Sequence, residues 1–202
     1  AEVILEGRNL NECEATVDRI ISDRGMTLIH PYDDPLVIAG QGTVGLEILQ
    51  QVPDLDELIV PIGGGGLMAG IALIAREIKP KIKLIGVESV LWPSMTGALK
   101  SVQMSCGGET LAEGIAVKSP GKLTKPIIEK MIDDILLVDE PHLERAISSI
   151  VEQQRLVAEG AGAAGVACVL QHPKHFEGKN CGIIICGGNI DPRLLAGVLN
   201  RS

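Results

Sequence analysis

Short apolar runs alternate with helical patterns over most of this chain. The run 58–62 is apolar apart from its proline, and glycines, a helical pattern over 67–78 and a second run over 83–88 follow it. Strands that are apolar throughout are typical of parallel sheets covered by helices on both faces. A strand, a loop, a helix and a strand within about 30 residues predict a βαβ unit.

The same alternation continues in both directions along the chain. Helices are predicted up to about residue 22 and over 36–50, 125–132, 141–157, 161–170 and 192–200, and strands over 134–138 and 181–186. Two more short strands are predicted over 3–5 and 26–29, whereas 93–121 is irregular, rich in glycine and has room for one short helix. The predicted fold class is α/β, with an open, mostly parallel sheet flanked by helices.

Composition excludes several classes of function. Eighteen lysines and arginines stand against 26 aspartates and glutamates, so the formal net charge is −8. Such a surface repels phosphate backbones and anionic lipid, and we therefore expect no nucleic acid and no membrane as a partner. The chain has one Tyr, one Trp and one Phe, so its core must be aliphatic.

The cysteines indicate the compartment. They are five in number and never spaced as C-x-x-C. An odd, unpaired set favours free thiols in a reducing environment over a disulfide framework or a zinc site. We therefore expect a cytoplasmic protein.

Four consecutive glycines stand where the apolar strand 58–62 meets the start of a helix: Gly63, Gly64, Gly65 and Gly66. Amides at a helix start are unpaired and the helix dipole adds partial positive charge, so this turn can hold a phosphate group without lysine or arginine. Glycine lets successive amides turn inward with no Cβ in the way. A tight turn that binds nothing is the alternative, and no G-K-[ST] follows as in a P-loop.

A dinucleotide site is a second interpretation of this turn. Gly64, Gly66 and Ala69 fit the pattern G-x-G-x-x-[GA], and Glu88 ends the next strand, where an acid that binds a ribose belongs. Such patterns usually open a nucleotide domain at its first strand, whereas several elements precede this one.

A second glycine-rich turn covers 186–189 and follows the predicted strand 181–186. It places Cys186 at the carboxyl end of a sheet strand, and Asp191 and Pro192 then favour the start of a helix. Two glycine-rich strand ends that face one crevice suggest a ligand with a phosphate at one end and a small, flat polar ring at the other.

Five segments carry a resemblance to a known family. They are HPYDDPLVIAGQGTVGLE (30–47), VPIGGGGLMAG (60–70), TLAEGIAVK (110–118), EGAGAAG (159–165) and CGGNID (186–191). Together they closely resemble threonine dehydratases (threonine ammonia-lyases), which are fold-type II enzymes dependent on pyridoxal phosphate, and more loosely serine racemases. The resemblance covers nearly the whole chain. It implies a tryptophan synthase β-like fold, pyridoxal 5′-phosphate as cofactor and deamination of a small amino acid, L-threonine or L-serine, to 2-oxobutanoate or pyruvate and ammonia.

The resemblance also implies roles for individual residues. The four glycines and the amide of Leu67 would hold the cofactor phosphate, and Cys186 would hydrogen-bond the pyridine nitrogen. Because a thiol cannot donate a full proton as an aspartic acid would, the ring would be a weaker electron sink, which is consistent with elimination. Tyr32 would approach the phenolic oxygen edge of the cofactor, Glu113 and Gly114 would lie beside its ring, and Glu159 would lie near the substrate.

Each of these roles has a plainer alternative. Cys186 could be a buried inert thiol, Tyr32 a packing residue with its hydroxyl in water, and either glutamate a solvated charge at a helix end. Glu88 matches a carboxylate that binds a cation in the racemase branch, but Ser94 stands where that branch has an aspartate. One carboxylate makes a poor divalent site, so a monovalent cation or none is expected.

Two features of the family are not found in this sequence. Its dehydratases attach the cofactor to a lysine in an S-x-K segment and grip the substrate carboxylate with an S-G-N-H-type loop, and neither occurs here; Lys100, Lys118 and Lys122 stand in other contexts. The chain also has no initiating methionine. We therefore expect a fragment that lacks the N-terminal part of a longer enzyme and is inactive by itself.

The resemblance divides such a fragment into the C-terminal part of a small domain, residues 1–36, and a large cofactor-binding domain, residues 37–202. The full-length enzyme is expected to be a homodimer or a homotetramer. Three alternatives stay open: an enzyme like serine racemase, a nicotinamide-binding domain, and a noncatalytic truncated paralogue that binds neither cofactor.

Overall fold

The structure, a computed structural model, describes residues 2–7 and 10–201. Its backbone contacts divide the chain into two compact units, Ala1–Pro31 and Tyr32–Ser202. The first unit contains one helix in its described part, α1 (Leu10–Arg24), and an ion pair between Arg24 and Glu2. The assignment of 1–36 to a small domain stays a prediction.

Strands and helices alternate along the second unit. In chain order they are α2 (Pro35–Gln51), β1 (Glu57–Pro61), α3 (Gly66–Ile78), β2 (Lys83–Ser89), α4 (Ser94–Lys100), a 3-10 turn (Glu113–Ile115), α5 (Thr124–Met131), β3 (Asp134–Val138), α6 (Glu140–Ser149), a π-helical turn (Ile150–Gln154), α7 (Gly160–Gln171), α8 (Pro173–Phe176), β4 (Cys181–Ile183) and α9 (Pro192–Arg201). Among the described residues, no helix is long and apolar enough to cross a membrane.

The strands form one parallel sheet in the order β3-β2-β1-β4. The chain enters at β1, continues to β2 and β3 on one side, and then crosses back to β4 on the other side of β1. The strand order therefore reverses between β1 and β4. In open α/β sheets, ligands bind outside the carboxyl ends of the strands at such a switch point.

Helices cover both faces of the sheet, as the continuous apolar strands predict. On one face Ile59 and Ile85 pack in a cluster with buried residues of α6 and α7. On the other face Leu58 and Leu84 pack in a cluster with residues of α2, α3 and α5. Each of these side chains is almost completely buried, and burial of one such side chain contributes roughly 1.5–3 kcal/mol. The predicted α/β class is confirmed.

Helices α2 and α3 contact each other through their backbones. A Cβ atom on Gly70 would overlap the carbonyl oxygen of Ile38 and lie 2.6 Å from the amide nitrogen of Gly42. Asp34 caps α2 by accepting hydrogen bonds from the amides of residues 36 and 37 at 2.8 and 3.1 Å. Within α2, Gly42 and Gly45 make the close contacts with α3.

Four predicted elements differ from the structure. Residues 3–5 and 26–29 form no strand, because no described segment pairs with them and their side chains are exposed, Val3 by 78% and Ile29 by 77%. Strand β4 ends at Ile183 instead of Cys186, after one last bond from the amide of residue 184 to the carbonyl of Ile59 at 3.1 Å. The helix predicted over 141–157 ends earlier, where Arg155 adopts a left-handed conformation with φ of 58°.

Replacing Gly70 with alanine should destabilise the protein by about 1–3 kcal/mol, because the added methyl group must push α3 away from the backbone of α2. Gly40 provides the matched control, since a Cβ at this exposed position of α2 meets no atom within 4 Å. Gly40→Ala should be neutral or stabilise by up to about 1 kcal/mol through helix propensity. Urea unfolding followed by circular dichroism measures both variants, and equal midpoints would contradict the close α2–α3 contact.

Candidate functional site

The first glycine turn, residues 63–66, joins β1 to α3 at the switch point. Gly65 is the N-cap residue of α3, with φ of 98° and no side-chain cap. Gly64, Gly65 and Gly66 are buried, and within the described residues the amides of 63–67 donate no hydrogen bond. Unpaired, buried amides at a helix start form a site that suits an anion such as phosphate.

Tyr32 packs directly on the first glycine turn. A Cβ atom on Gly64 would overlap the Tyr32 ring, and a Cβ on Gly66 would lie 2.9 Å from the Tyr32 carbonyl oxygen. These two glycines therefore have a packing role in addition to their unpaired amides. The two interpretations of the glycine run, tight packing and anion binding, are compatible in this geometry.

The 3-10 turn that carries Glu113 and Gly114 lies beside the same glycines. A Cβ on Gly63 would lie 3.0 Å from the Cα of Ile115 and 3.5 Å from the carbonyl oxygen of Gly114. Glu113 itself is exposed. The fold thus brings the backbone of this turn against the first glycine turn, and the contact of Glu113 and Gly114 with a cofactor ring stays a prediction.

Glu159 links the 3-10 turn to the second glycine turn, residues 186–189. Its Oε2 accepts a hydrogen bond from the amide of Asn189 at 3.1 Å, and its own amide donates to the carbonyl of Gly187 at 3.1 Å. A Cβ on Gly114 would lie 3.0 Å from its Oε1, and a Cβ on Gly187 2.6 Å from the same atom. The half-buried carboxylate of Glu159 therefore lies between the two turns, at the start of α7.

Cys186 is exposed and belongs to the second glycine turn, beyond the end of β4. Desolvation by the surrounding chain and the negative charge of Glu159 raise the pKa of its thiol. Cys186 is therefore a neutral thiol at neutral pH, able to donate or accept a weak hydrogen bond. Cys168 in α7, by contrast, is completely buried, and desolvation raises the pKa of its thiol to about 12.

Glu88 is completely buried at the end of β2. Its carboxylate accepts hydrogen bonds from the amides of Met95 and Thr96 at 2.7 and 2.8 Å and from the Thr96 hydroxyl at 2.6 Å, all at the start of α4. Burial raises its pKa in spite of these bonds. Within the described residues no group of three or more side chains could hold a metal ion.

The position of Glu88 bears on two of the interpretations made from sequence. Both carboxylate oxygens of Glu88 accept hydrogen bonds from the start of α4. Binding of a cation at Glu88 stays a prediction. The nicotinamide alternative needs an acid that reaches a ribose. Because Glu88 has 0% exposed surface, its position does not favour this alternative.

Two further carboxylates, those of Asp33 and Glu140, hold segments near these turns and were not predicted from the sequence. Asp33 accepts hydrogen bonds from the amides of 122–124 at 2.8, 2.8 and 3.2 Å, and so caps α5. Glu140 holds the segment before the 3-10 turn by accepting from the Thr110 hydroxyl at 2.6 Å and the Leu111 amide at 2.7 Å. An aspartate before a helix is a capping signal, but Asp33 caps a helix about 90 residues away, where no local pattern shows it.

Comparison with known proteins agrees with this geometry. The sequence model of a family described as pyridoxal-phosphate dependent enzyme matches residues 1–187. The L-threonine ammonia-lyase of Thermotoga maritima is 43% identical over 203 residues, which cover 100% of this chain and 50% of that protein. The chain spans about 50–60% of the length of the curated relatives that it matches.

Solved structures have the same fold. The threonine deaminase of T.th. superposes with a TM-score of 0.88 at 34% identity, over 95% of this chain and 64% of that one. Maize serine racemase superposes with a TM-score of 0.88 at 32% identity, over 98% of this chain and 63% of that one. The predicted fold-type II architecture and the resemblance to threonine dehydratases are confirmed.

Replacing Glu159 with glutamine should raise the rate at which iodoacetamide alkylates Cys186 by about twofold at neutral pH. Loss of the negative charge lowers the thiol pKa, and only the thiolate reacts. Glutamine keeps an oxygen that can accept from the Asn189 amide. Mass spectrometry of the modified peptides measures the rates.

Glu152→Gln is the control for this experiment, since it makes the same charge change at an exposed position of the π-helical turn and should leave Cys186 unaffected. Cys168 should stay unmodified in every folded variant because it is completely buried. An unchanged Cys186 rate in Glu159→Gln would show that the carboxylate does not act on the thiol.

Proposed function

The chain belongs to the family of pyridoxal-phosphate dependent enzymes, and from this premise we propose that it forms the cofactor-holding part of a lyase that deaminates L-threonine or L-serine. The observation that carries the proposal is the set of unpaired amides of 63–67 at the start of α3, of which those of 64–66 are buried. The reaction class is supported by the relative named L-threonine ammonia-lyase at 43% identity. The products are a 2-oxo acid and ammonia.

The residues of the crevice suit the two ends of such a cofactor. When bound, pyridoxal phosphate supplies an electron-withdrawing ring that stabilises the negative charge left by loss of an α-proton. The amides of 63–67 bind the phosphate end, where helix α3 also contributes its dipole. Cys186, on the second glycine turn, contacts the ring nitrogen as a neutral thiol, and Tyr32 covers the first glycine turn.

The uncharged state of Cys186 favours elimination. A carboxylate at this position would hold the ring nitrogen protonated and make the ring a stronger electron sink, whereas a thiol of raised pKa does not. A neutral thiol would leave more of the negative charge on the α-carbon of the substrate. That charge would then favour loss of a β-hydroxyl group. Desolvation and, in addition, the charge of Glu159 raise the pKa of the thiol, and Glu159 holds the 186–189 backbone through Asn189 and Gly187.

The proposed reaction also needs a lysine that binds the cofactor covalently. The sequence has no S-x-K segment and no S-G-N-H-type loop. We therefore propose that further residues supply both, that this chain of 202 residues is inactive alone, and that the complete enzyme is a cytoplasmic homodimer or homotetramer. Serine racemase is the second candidate, because the maize enzyme has the same fold at 32% identity.

The complete enzyme, supplied with pyridoxal phosphate, should convert L-threonine to 2-oxobutanoate and L-serine to pyruvate with release of ammonia. Oxo acid can be quantified as its phenylhydrazone, and serine enantiomers by chiral chromatography. Rapid interconversion of L- and D-serine without oxo acid would place the protein in the racemase branch. Enhanced NADH fluorescence without binding of pyridoxal phosphate would favour the nicotinamide alternative, and binding of neither would favour a noncatalytic paralogue.

Substitution of Cys186 tests the ring contact. Cys186→Ser keeps a hydrogen-bonding group and should retain much of the activity, whereas Cys186→Asp should raise racemisation or transamination relative to elimination. Because residue 186 is exposed, neither change should prevent folding. The measurement is the partition between oxo acid and side products at matched folded fraction. The same partition in both variants would refute the contact.

A further inference from the structure

The hydroxyl group of Thr124 fixes the central peptide of the first glycine turn. Thr124 is completely buried and is the first residue of α5. Its Oγ1 donates a hydrogen bond to the carbonyl oxygen of Gly64 at 2.6 Å, and the amide of Gly121 donates to the same oxygen at 3.1 Å. Two donors from one segment therefore hold a single carbonyl group of the turn.

This contact determines where the next amide points. Because the peptide group is planar and trans, the N–H of Gly65 is directed opposite to the carbonyl of Gly64. The bonds from Thr124 and Gly121 hold that carbonyl towards α5, so the Gly65 amide points away from α5. If the peptide rotated, a carbonyl oxygen with partial negative charge would replace an amide in the anion site.

The start of α5 is built around this contact. The Asp33 carboxylate accepts three amide hydrogen bonds from 122–124 and fixes the backbone of Thr124. A Cβ on Gly121 would overlap the Asp33 carboxylate and lie 2.6 Å from the Thr124 hydroxyl, so only glycine leaves space for both groups. In this arrangement the hydroxyl lies against the Gly64 carbonyl.

We infer that Thr124 is a positioning residue for the phosphate of the cofactor. It does not touch the ligand, and its hydroxyl directs the Gly65 amide towards it. The inference rests on the proposed function, because it assumes that the amides of 63–67 bind a phosphate group. It assigns to α5, which follows the irregular segment, a part in cofactor binding.

The test measures binding of inorganic phosphate and of pyridoxal phosphate to the complete enzyme, freed of cofactor, by calorimetry; the unmodified chain is the complete enzyme without substitution. Thr124→Val keeps the shape of the side chain and removes the hydroxyl, Thr124→Ala removes both, and Thr124→Ser keeps the hydroxyl. The valine and alanine variants should each bind both ligands about tenfold more weakly, as expected for loss of one buried hydrogen bond. If one of the two variants does not fold, the other still provides the test. Serine should bind within about twofold of the unmodified chain.

A control separates positioning from general destabilisation. Thr96 is also a buried threonine at a helix start, and its hydroxyl donates to Glu88 at 2.6 Å. Thr96→Val should lower the unfolding midpoint like Thr124→Val but leave phosphate binding unchanged. NMR provides a second readout, since phosphate should shift the Gly65 amide resonance in the unmodified chain and shift it much less in Thr124→Val.

The outcomes distinguish failure of the role of Thr124 from failure of the proposed phosphate site. If phosphate binds and shifts the amides of 63–67, but Thr124→Val and Thr124→Ala bind like the unmodified chain, the inference is overturned and the proposed function stands. Equal loss in Thr124→Ser or in Thr96→Val also overturns it. If phosphate does not perturb 63–67 in the unmodified chain, the proposed function fails and the inference fails with it.

Discussion

Beyond the ends of β1 and β4, the chain makes close contacts between backbone atoms, and the rest of the site depends on these contacts. Gly66 lies against the Tyr32 carbonyl, and Gly162 in α7 lies so close to the Gly187 carbonyl that a Cβ would overlap it. Helices α3 and α7, which begin at this edge, have no side-chain cap, whereas Asp34 caps α2 and Asp139 caps α6. Helix starts with no side-chain cap leave amides available to an anion.

Acidic residues near this edge act on the chain's own amides. Asp33 binds the start of α5, Glu88 the start of α4 and Glu140 the amide of residue 111. A carboxylate that accepts amide hydrogen bonds at a helix start has much of its charge compensated by the helix dipole. The proposed phosphate site is therefore compatible with a chain whose net charge is −8.

The sequence predicts those parts of the molecule that follow from local pattern. Runs such as 58–62 must be covered on both faces, and the two glycine turns stand at strand ends. The local sequence therefore predicts the class of the sheet and the edge at which the two turns lie. Runs of β-type residues at 3–5 and 26–29 were misleading, because a strand also needs a partner. The bond from Thr124 to Gly64 joins residues 60 apart and leaves no periodic trace in the sequence.

The two glycine turns have different chemistry at the same switch point. The first offers unpaired amides at a helix start, which select for negative charge. The second offers a thiol whose pKa is raised by desolvation and by Glu159, so it carries no charge at neutral pH. A ligand that spanned both turns, as proposed, would be held firmly at an anionic end and contacted only weakly at the other. In the proposed reaction, this asymmetry separates cofactor retention, which depends on backbone amides, from the choice of reaction, which depends on one exposed side chain.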